Sequence, residues 1–556
     1  MTTKKMSPWK RFTGLLQLDR RDIRQIFYYA VFAGIVALSL PLGIQAIINL
    51  LQGAQITSSW IVLVALVTLG VAFQGGLQIM QIRILENIQQ KIFMRSSFEF
   101  VYRFPKIKYT ELVNYYPPEL ANRFFDTLTV QKGLSKILID FPAAVLQIIF
   151  GIILLSFYHS FFIIYGILLL LLIYVVFKFT AKKGLETSLK ESKSKYKVAH
   201  WIQEIARSLV SFKLSGNTSL AMQRNDELTT EYLQARESHF KILLTQFIQM
   251  IGFKVLVTAG LLVIGGLLVL NQQMNIGQFV AAEIIILLVI SSVEKLIYVL
   301  ETFYDVLTSL EKIGQVVDKK IEPSVGIDPF ENEENFKIEL EKVSFVSVRD
   351  KKIINNINLS IKDKERILLT GKSGSGKTTL LKLIAGIHTP TAGSIYINNS
   401  SIKGIRLGSY RSKIGQVLPE QQTFEGTILE NITFNNPEIS RKRLNEVLEK
   451  LGLLPFIKEQ TNGLQTVLSS QGKELSFSIS KRILLARAIV HQPKLLLLKD
   501  PLEYFDPEEA KEIINYLTND AQNWSIVIVT NNPLWKTKCS KTLVLNQGNL
   551  NIQNHA

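Results

Sequence analysis

Six apolar stretches lie within the first 310 or so residues, near 26–51, 58–82, 136–157, 160–181, 242–270 and 276–300. A helix needs about 20 mostly apolar residues to cross a bilayer. In lipid the chain has no water to satisfy its peptide groups, so each stretch is expected as a helix. The third and fourth stretches are separated only by "YHS", and the fifth and sixth by "NQQMN", so each pair forms a tight hairpin.

The charges sort by position. The short connections "QGAQITS", "YHS" and "NQQMN" contain no Lys or Arg. The long ones, 83–135 and 182–241, carry many, among them Arg83, Lys91, Arg95, Lys182, Lys183, Lys190 and Lys193. Lys4, Lys5, Lys10, Arg11, Arg20, Arg21 and Arg24 precede the first stretch. Cytoplasmic loops collect positive charge, so both termini and both long loops are expected in the cytoplasm of a bacterial inner or plasma membrane. Much of the formal net charge of +17 is explained this way, and no nucleic-acid partner is expected. Cys539 is the single cysteine, which excludes an internal disulfide framework and a cysteine zinc site. The N-terminus shows no short apolar core with a cleavage site, so no cleaved signal peptide is expected. Residues 8–18 ("PWKRFTGLLQL") read either as an elbow helix on the membrane surface or as a disordered lead-in. Apolar residues recur regularly among the charges of the long loops, as in helices that continue into the cytosol.

The membrane part is expected to span 1–317, followed by a charged, Pro-containing linker at 318–335. From 336 to 556 the pattern changes to strand-like runs ("RILLT", "KLLLL", "SIVIVT") alternating with helical ones, which is the α/β order of a nucleotide-binding domain. The fold class is therefore an all-α six-helix transmembrane domain followed by an α/β phosphate-loop domain.

"GKSGSGKT" runs from Gly371 to Thr378 between a strand-like and a helical segment, matching G-x-x-x-x-G-K-[ST] in the right context. Gly371, Gly374 and Gly376 let the backbone N–H groups of Lys372, Ser373, Ser375 and their neighbours curl around phosphates. Lys377 would reach the outer phosphates, Thr378 would offer its hydroxyl to magnesium, and Thr379 continues the helix start.

Six spans, two long loops and a phosphate-loop domain resemble an ABC exporter half-transporter over nearly the whole chain. "LLARAIVHQPKLLLL" resembles the helix and strand after the family's signature and "FEGTILENI" the segment after its glutamine loop, while "MNIGQFVAAE" and "LANRFFDTLTVQK" resemble the membrane domain of its peptide-export and type I secretion branches. No cysteine-peptidase domain precedes the spans, so leader processing is not expected. The resemblance implies ATP as ligand, a second half-transporter as partner, coupling helices near 109–119 and 213–222, and a possible periplasmic adaptor.

Several positions depart from the family's pattern. In "PKLLLLKDPLEYFD" the ungapped alignment puts Lys499 at the magnesium-aspartate position, Asp500 at the catalytic-glutamate position and Asp506 at the D-loop aspartate. Making Asp500 the metal ligand instead needs a one-residue slip, which turns the strand's faces over. The signature reads "LSFSI": Ser476 is kept, Phe477 replaces the first glycine, and Ile479 closes the motif. Pro419 falls at the glutamine-loop position, with Gln421 and Gln422 beyond it. Asn531 falls at the switch-histidine position, and Ser347 at the adenine-stacking aromatic, leaving Phe345 as substitute. Hydrolysis needs an oriented water, a metal and groups for the developing charge. Asp500 sets its carboxylate back by about 1.5 Å relative to Glu, and displacements near 1 Å can cost about a hundredfold. Asn531 cannot exchange a proton near neutral pH as His can.

These departures predict a site that binds ATP and hydrolyses it weakly, with magnesium in doubt. Lys499 either stands in as a point cation beside the phosphates or pairs with a carboxylate or snorkels to solvent. The partner is expected to make a heterodimer rather than a homodimer. Two functions stay open: an active exporter subunit for peptide, protein or lipid, and a non-hydrolysing, nucleotide-gated or structural subunit. Within the spans Lys254, Glu283 and Glu294 are costly to bury. Lys254 and Glu294 lie at similar depth from the 270–276 turn and form the better pair.

Overall fold

The computed structural model describes residues 6–52, 58–331, 336–348 and 350–554. The chain divides into two compact units, Met1–Lys106 with Tyr115–Lys319, and Ile107–Asn114 with Lys320–Ala556.

The first unit is helical. α1 (Pro8–Leu18) follows an N-cap at Ser7, so the lead-in is a helix. Arg11 on α1 pairs with Glu311 at 2.7 Å and also with Asp318. α2 (Arg20–Ala37) and α3 (Ser39–Gln52) divide the first expected span. Pro41 sits in the first turn of α3, where its missing N–H leaves the helix before it without a bonding partner. α4 (Ser58–Arg103), α5 (Phe141–Ser156), α6 (Phe161–Arg207), α7 (Leu220–Leu270) and α8 (Ile276–Val317) follow. α4, α6 and α7 have 46, 47 and 51 residues. At 1.5 Å per residue each runs about 70 Å, more than twice the roughly 30 Å of a hydrocarbon core. The long loops of the sequence are thus largely these helices continued past the membrane.

Among the described residues five helical segments are long and apolar enough to cross a membrane: Arg20–Gln52, Ser58–Lys106, Pro117–Ser156, Leu220–Leu270 and Ile276–Val317. A shorter apolar run, Phe161–Leu171, opens α6, where the sequence placed a sixth span. The α7–α8 turn ends in a capping box, in which Gln278 N–H donates to Asn275 and the Gln278 side chain accepts from Asn275 N–H. The second short loop helix is Leu209–Leu214 rather than 213–222. It ends because Gly216 takes φ +70°, and residues 215–219 turn into α7. α8 is the central helix: Ile285 and Val289 pack on Ala144 and Ile148 of α5. That approach is close, since a Cβ on Gly151 would lie 2.8 Å from Val289.

The second unit is α/β. One sheet has the order β2-β1-β4-β5 and is antiparallel, with β1 (Ile338–Val346), β2 (Lys352–Ile361), β4 (Ala392–Ile397) and β5 (Ser400–Ser401). The other contains β3 (Arg366–Thr370), β6 (Ile414–Val417), β7 (Leu495–Lys499), β8 (Ser525–Val529), β9 (Lys541–Asn546) and β10 (Asn549–Asn554). Its order is β10-β9-β3-β8-β7-β6, parallel except for the β9–β10 hairpin. Leu495 to Leu498 are fully buried, as expected for a strand covered on both faces. Leu495 and Leu497 join the core that holds Leu380, Leu381 and Ile384 of α9 (Lys377–Ile384). Leu496 and Leu498 face the other core, with Ile483 and Leu485 of α10 (Phe477–Ile489). This alternation fixes which way Lys499 points.

Ile107–Asn114 is part of the second unit. Ile107 bridges Ile321, and the Tyr109 ring meets His388 edge-on at 5.0 Å. Burial, then the nearby Lys382 ammonium, push the His388 imidazole down to about 4.

Candidate functional site: a phosphate-loop pocket with a lysine at its head

The carboxyl ends of β3, β8 and β7 lie side by side, with Val529 in register with Lys499. In an open parallel sheet this end forms the ligand crevice. Here it bounds a cavity of about 660 Å³ lined by the phosphate loop, Lys499, Asp500, Thr530 and Asn531.

Gly371, Gly374 and Gly376 have φ of +139°, +77° and +106°. Gly371 has no room for a side chain, because a Cβ there would lie 2.1 Å from the Leu545 carbonyl oxygen. Gly376 caps α9, which points its free N–H groups at the cavity. Lys377 folds over the loop, its ammonium donating to the carbonyls of Gly371 (2.6 Å) and Lys372 (2.9 Å). Ser373, Ser375, Thr378 and Thr379 also line the cavity, and the buried Ser375 hydroxyl has no partner within the protein. An orphaned hydroxyl inside a glycine cradle fits a phosphate oxygen.

At the opposite wall the Lys499 ammonium donates to the Thr378 hydroxyl at 3.0 Å. Lys499 therefore neither ion-pairs with a carboxylate in the described structure nor turns to solvent. Asp500 follows in the left-handed region, φ +43°, and its N–H donates to the Val529 carbonyl at 2.9 Å. Burial raises the Asp500 carboxyl above the usual range, helped by Glu503 and opposed by Lys499, Lys481 and Lys377. Burial also lowers the Lys377 ammonium, with Lys499 adding to the effect and Asp500 opposing it. Lys351 and Lys352, unremarked in the sequence, line the same cavity, and Asp500 is the one carboxylate among the described lining residues. The signal for these two lysines was the pair "KK" at 351–352, where β2 begins.

A divalent-metal site does not fit these residues. Magnesium takes six oxygens in near-octahedral order. Here an ammonium already occupies the Thr378 hydroxyl, and the one carboxylate among the described lining residues holds a raised proton affinity.

The other altered positions are not gathered at the cavity. Ser476 caps α10, accepting from Ile479 N–H at 3.3 Å. Phe477 is 73% exposed and stacks on Tyr504, with centroids 5.1 Å apart. Asp506 is exposed at the start of Pro507–Leu517. Pro419 is exposed, and Gln421 is turned back to accept from Leu418 N–H at 3.0 Å. Ser347 lies half-buried in the β1–β2 turn, where its N–H donates to Lys351. Phe345 does not serve as an adenine platform, because it is buried and packs on His388 at 4.8 Å.

In the first unit Lys254 and Glu294 do meet, at 3.1 Å, as their depths predict. Glu283, on the same helix as Glu294, is half-buried. A polar cavity of about 350 Å³ also escaped the sequence reading; it is lined by Gln74, Gln78, Gln81, Gln147, Asp140 and Lys295. Gln74, Gln78 and Gln81 fall at i, i+4 and i+7 of α4 and so share one face, a periodicity that was available. Lys136–Asp140 is a π-turn, which brings Asp140 to this wall.

Fold and site together define an integral membrane protein with a helical transmembrane domain and a phosphate-loop nucleotide-binding domain. Two family models match: the ABC transporter transmembrane region over residues 25–293 and the ABC transporter domain over 354–503. The chain belongs to the ABC transporters and has the organisation of an exporter half-transporter. It is 30% identical over 304 residues to the alpha-hemolysin translocation ATP-binding protein HlyB of Escherichia coli O157:H7, covering 54% of this chain and 43% of HlyB. It is 27% identical over 345 residues to the leukotoxin export ATP-binding protein LtxB of Aggregatibacter actinomycetemcomitans, covering 60% and 48%. The chain thus spans about half the length of these relatives. A bacterial Atm1-family ABC exporter, solved with ATP bound, shares the fold with TM-score 0.85 at 18% identity, over 96% of this chain and 95% of that one.

Proposed function

We propose that this chain is one half of an ATP-dependent exporter, and that its own pocket binds ATP but turns it over weakly. The observation that carries the reading is a complete phosphate loop facing Lys499 and Asp500 across one cavity. Gly371 to Thr379 hold the phosphates, with Lys377 released from its loop carbonyls to meet the outer ones. Among the described lining residues Asp500 is the one carboxylate that could orient water, and Asn531 stands where a proton-exchanging group would assist it. Neither supplies the base and metal that phosphoryl transfer to water requires. Magnesium is in doubt at this pocket for the same reason.

ABC pockets close against a second half. Phe477 presents a ring at the start of α10, where a close-approaching helix end would have to be bare. A heterodimer with a catalytically competent half suits this chain better than a homodimer. The positive-inside distribution of Lys and Arg supports a cytoplasmic location for both termini. The names of the matched relatives favour a polypeptide cargo, with a periplasmic adaptor as further partner. A non-hydrolysing, nucleotide-gated subunit is the second reading, favoured by Lys499.

The test is transport in inverted vesicles containing this chain and its co-expressed partner. Lys377→Ala in this chain alone should reduce nucleotide-dependent uptake without abolishing the partner's phosphate release. Unchanged uptake would show that nucleotide binding here is dispensable.

A further inference from the structure

The Lys499 ammonium sits at the head of the pocket, on the hydroxyl that opens α9. Its placement is not a loose rotamer choice. Leu495 and Leu497 bury the same strand face against α9, and their alternation with Leu496 and Leu498 forces Lys499 toward that helix. The parallel pairing of β7 with β8 pins the strand residue by residue from Leu495 to Lys499. The result is a fixed cation 3.0 Å from the Thr378 hydroxyl.

The rest of the lining agrees in sign. Lys351, Lys352, Lys377 and Lys499 face a cavity with Asp500 as the one carboxylate among its described residues. An ammonium is a compact point charge with three donors, suited to phosphate oxygens. A divalent cation bound to the same oxygens would be placed against that ammonium and repelled.

We propose that Lys499 is the pocket's built-in counter-ion, and that the site selects the metal-free nucleoside triphosphate tetra-anion over its magnesium complex. This rests on the reading that the loop from Gly371 to Thr378 takes a triphosphate. Magnesium acts as a competitor for the ligand rather than a cofactor, so free magnesium weakens occupancy of this half.

The experiment is a titration of the full-length chain in lipid nanodiscs with a fluorescent N-methylanthraniloyl-ATP, in EDTA and in excess magnesium. Wild type should bind tighter in EDTA. Lys499→Met, close in size and uncharged, should lose about tenfold or more in EDTA, the scale of a charge-assisted hydrogen bond. Lys499→Asp should reverse the order and bind only with magnesium. Lys377→Ala controls for binding at the loop, and unchanged unfolding temperatures of the variants without nucleotide control for folding. Wild-type binding that requires magnesium would overturn the inference and leave the ATP-binding reading standing. Binding in neither condition would remove both.

Discussion

Replacing Gly371 by Ala tests whether the phosphate loop is held by crowding or only by backbone freedom. At φ +139° Gly371 occupies a region that costs a side-chain-bearing residue about 1–3 kcal/mol. Its new Cβ would also lie 2.1 Å from the Leu545 carbonyl oxygen, on a fully buried residue of β9. Backbone in a paired strand cannot swing aside, so overpacking adds about 1–3 kcal/mol. Gly374 is the matched control: its φ is +77°, and a Cβ there meets nothing within 4 Å. Gly374→Ala therefore costs only the left-handed penalty of about 1–2 kcal/mol, less about 0.5 kcal/mol regained from the unfolded chain. Buried Trp524 and Trp535 report unfolding of the nucleotide-binding unit in the detergent-solubilised chain. After the same regain of about 0.5 kcal/mol that any Gly→Ala change draws from the unfolded chain, Gly371→Ala should lower its midpoint by roughly 3–22 °C, since 1 kcal/mol shifts a domain of this size by about 2–4 °C. Gly374→Ala should lower it by roughly 1–6 °C on the same scale. An equal or larger loss for Gly374→Ala would refute the crowding argument.

Asp500→Asn removes the single described carboxylate of the pocket and should tighten ATP binding at pH 8 severalfold. Acidification into the carboxylate range should narrow the gap, because the wild-type carboxyl takes up its proton at a higher pH than an ordinary Asp; a gap that persists after the carboxyl is protonated would show that its charge is not felt. Lys254→Met and Glu294→Gln should couple in a double-mutant cycle by about 0.6 kcal/mol, the usual scale of a polar contact between membrane-spanning helices. Additive effects on thermal unfolding would deny the pair any energetic role. Phe477→Gly should shift the unfolding temperature by no more than about 2 °C, since most of the ring is exposed. It should also raise phosphate release by a co-purified partner half, and an unchanged rate would show that the ring does not obstruct the shared interface.

The parts of this molecule written in short windows were legible in the sequence. The loop Gly371–Thr378 is one, because its conformation follows from local glycine spacing. The apolar spans are another, because lipid leaves helix as the only outcome. What Lys499 touches was not legible. Its partner lies 121 positions away and meets it only once β8 inserts between β3 and β7. Phe345 looked available for a nucleotide base until the β1 register buried it against His388. The break after Ala37 was missed because an apolar run hides the effect of Pro41 on the turn before it. The glutamine-lined cavity was missed because hydropathy averages over a face that only helix periodicity separates.

Phosphate release by the purified full-length chain, in lipid and without a partner, bears most directly on the account. With saturating ATP, in magnesium or in EDTA, the rate should stay far below about 1 per second, while nucleotide binding to wild type stays measurable. Release at an ordinary enzymatic rate of about 1 per second or faster, abolished by Lys377→Ala, would contradict the claim that this pocket holds ATP without hydrolysing it well.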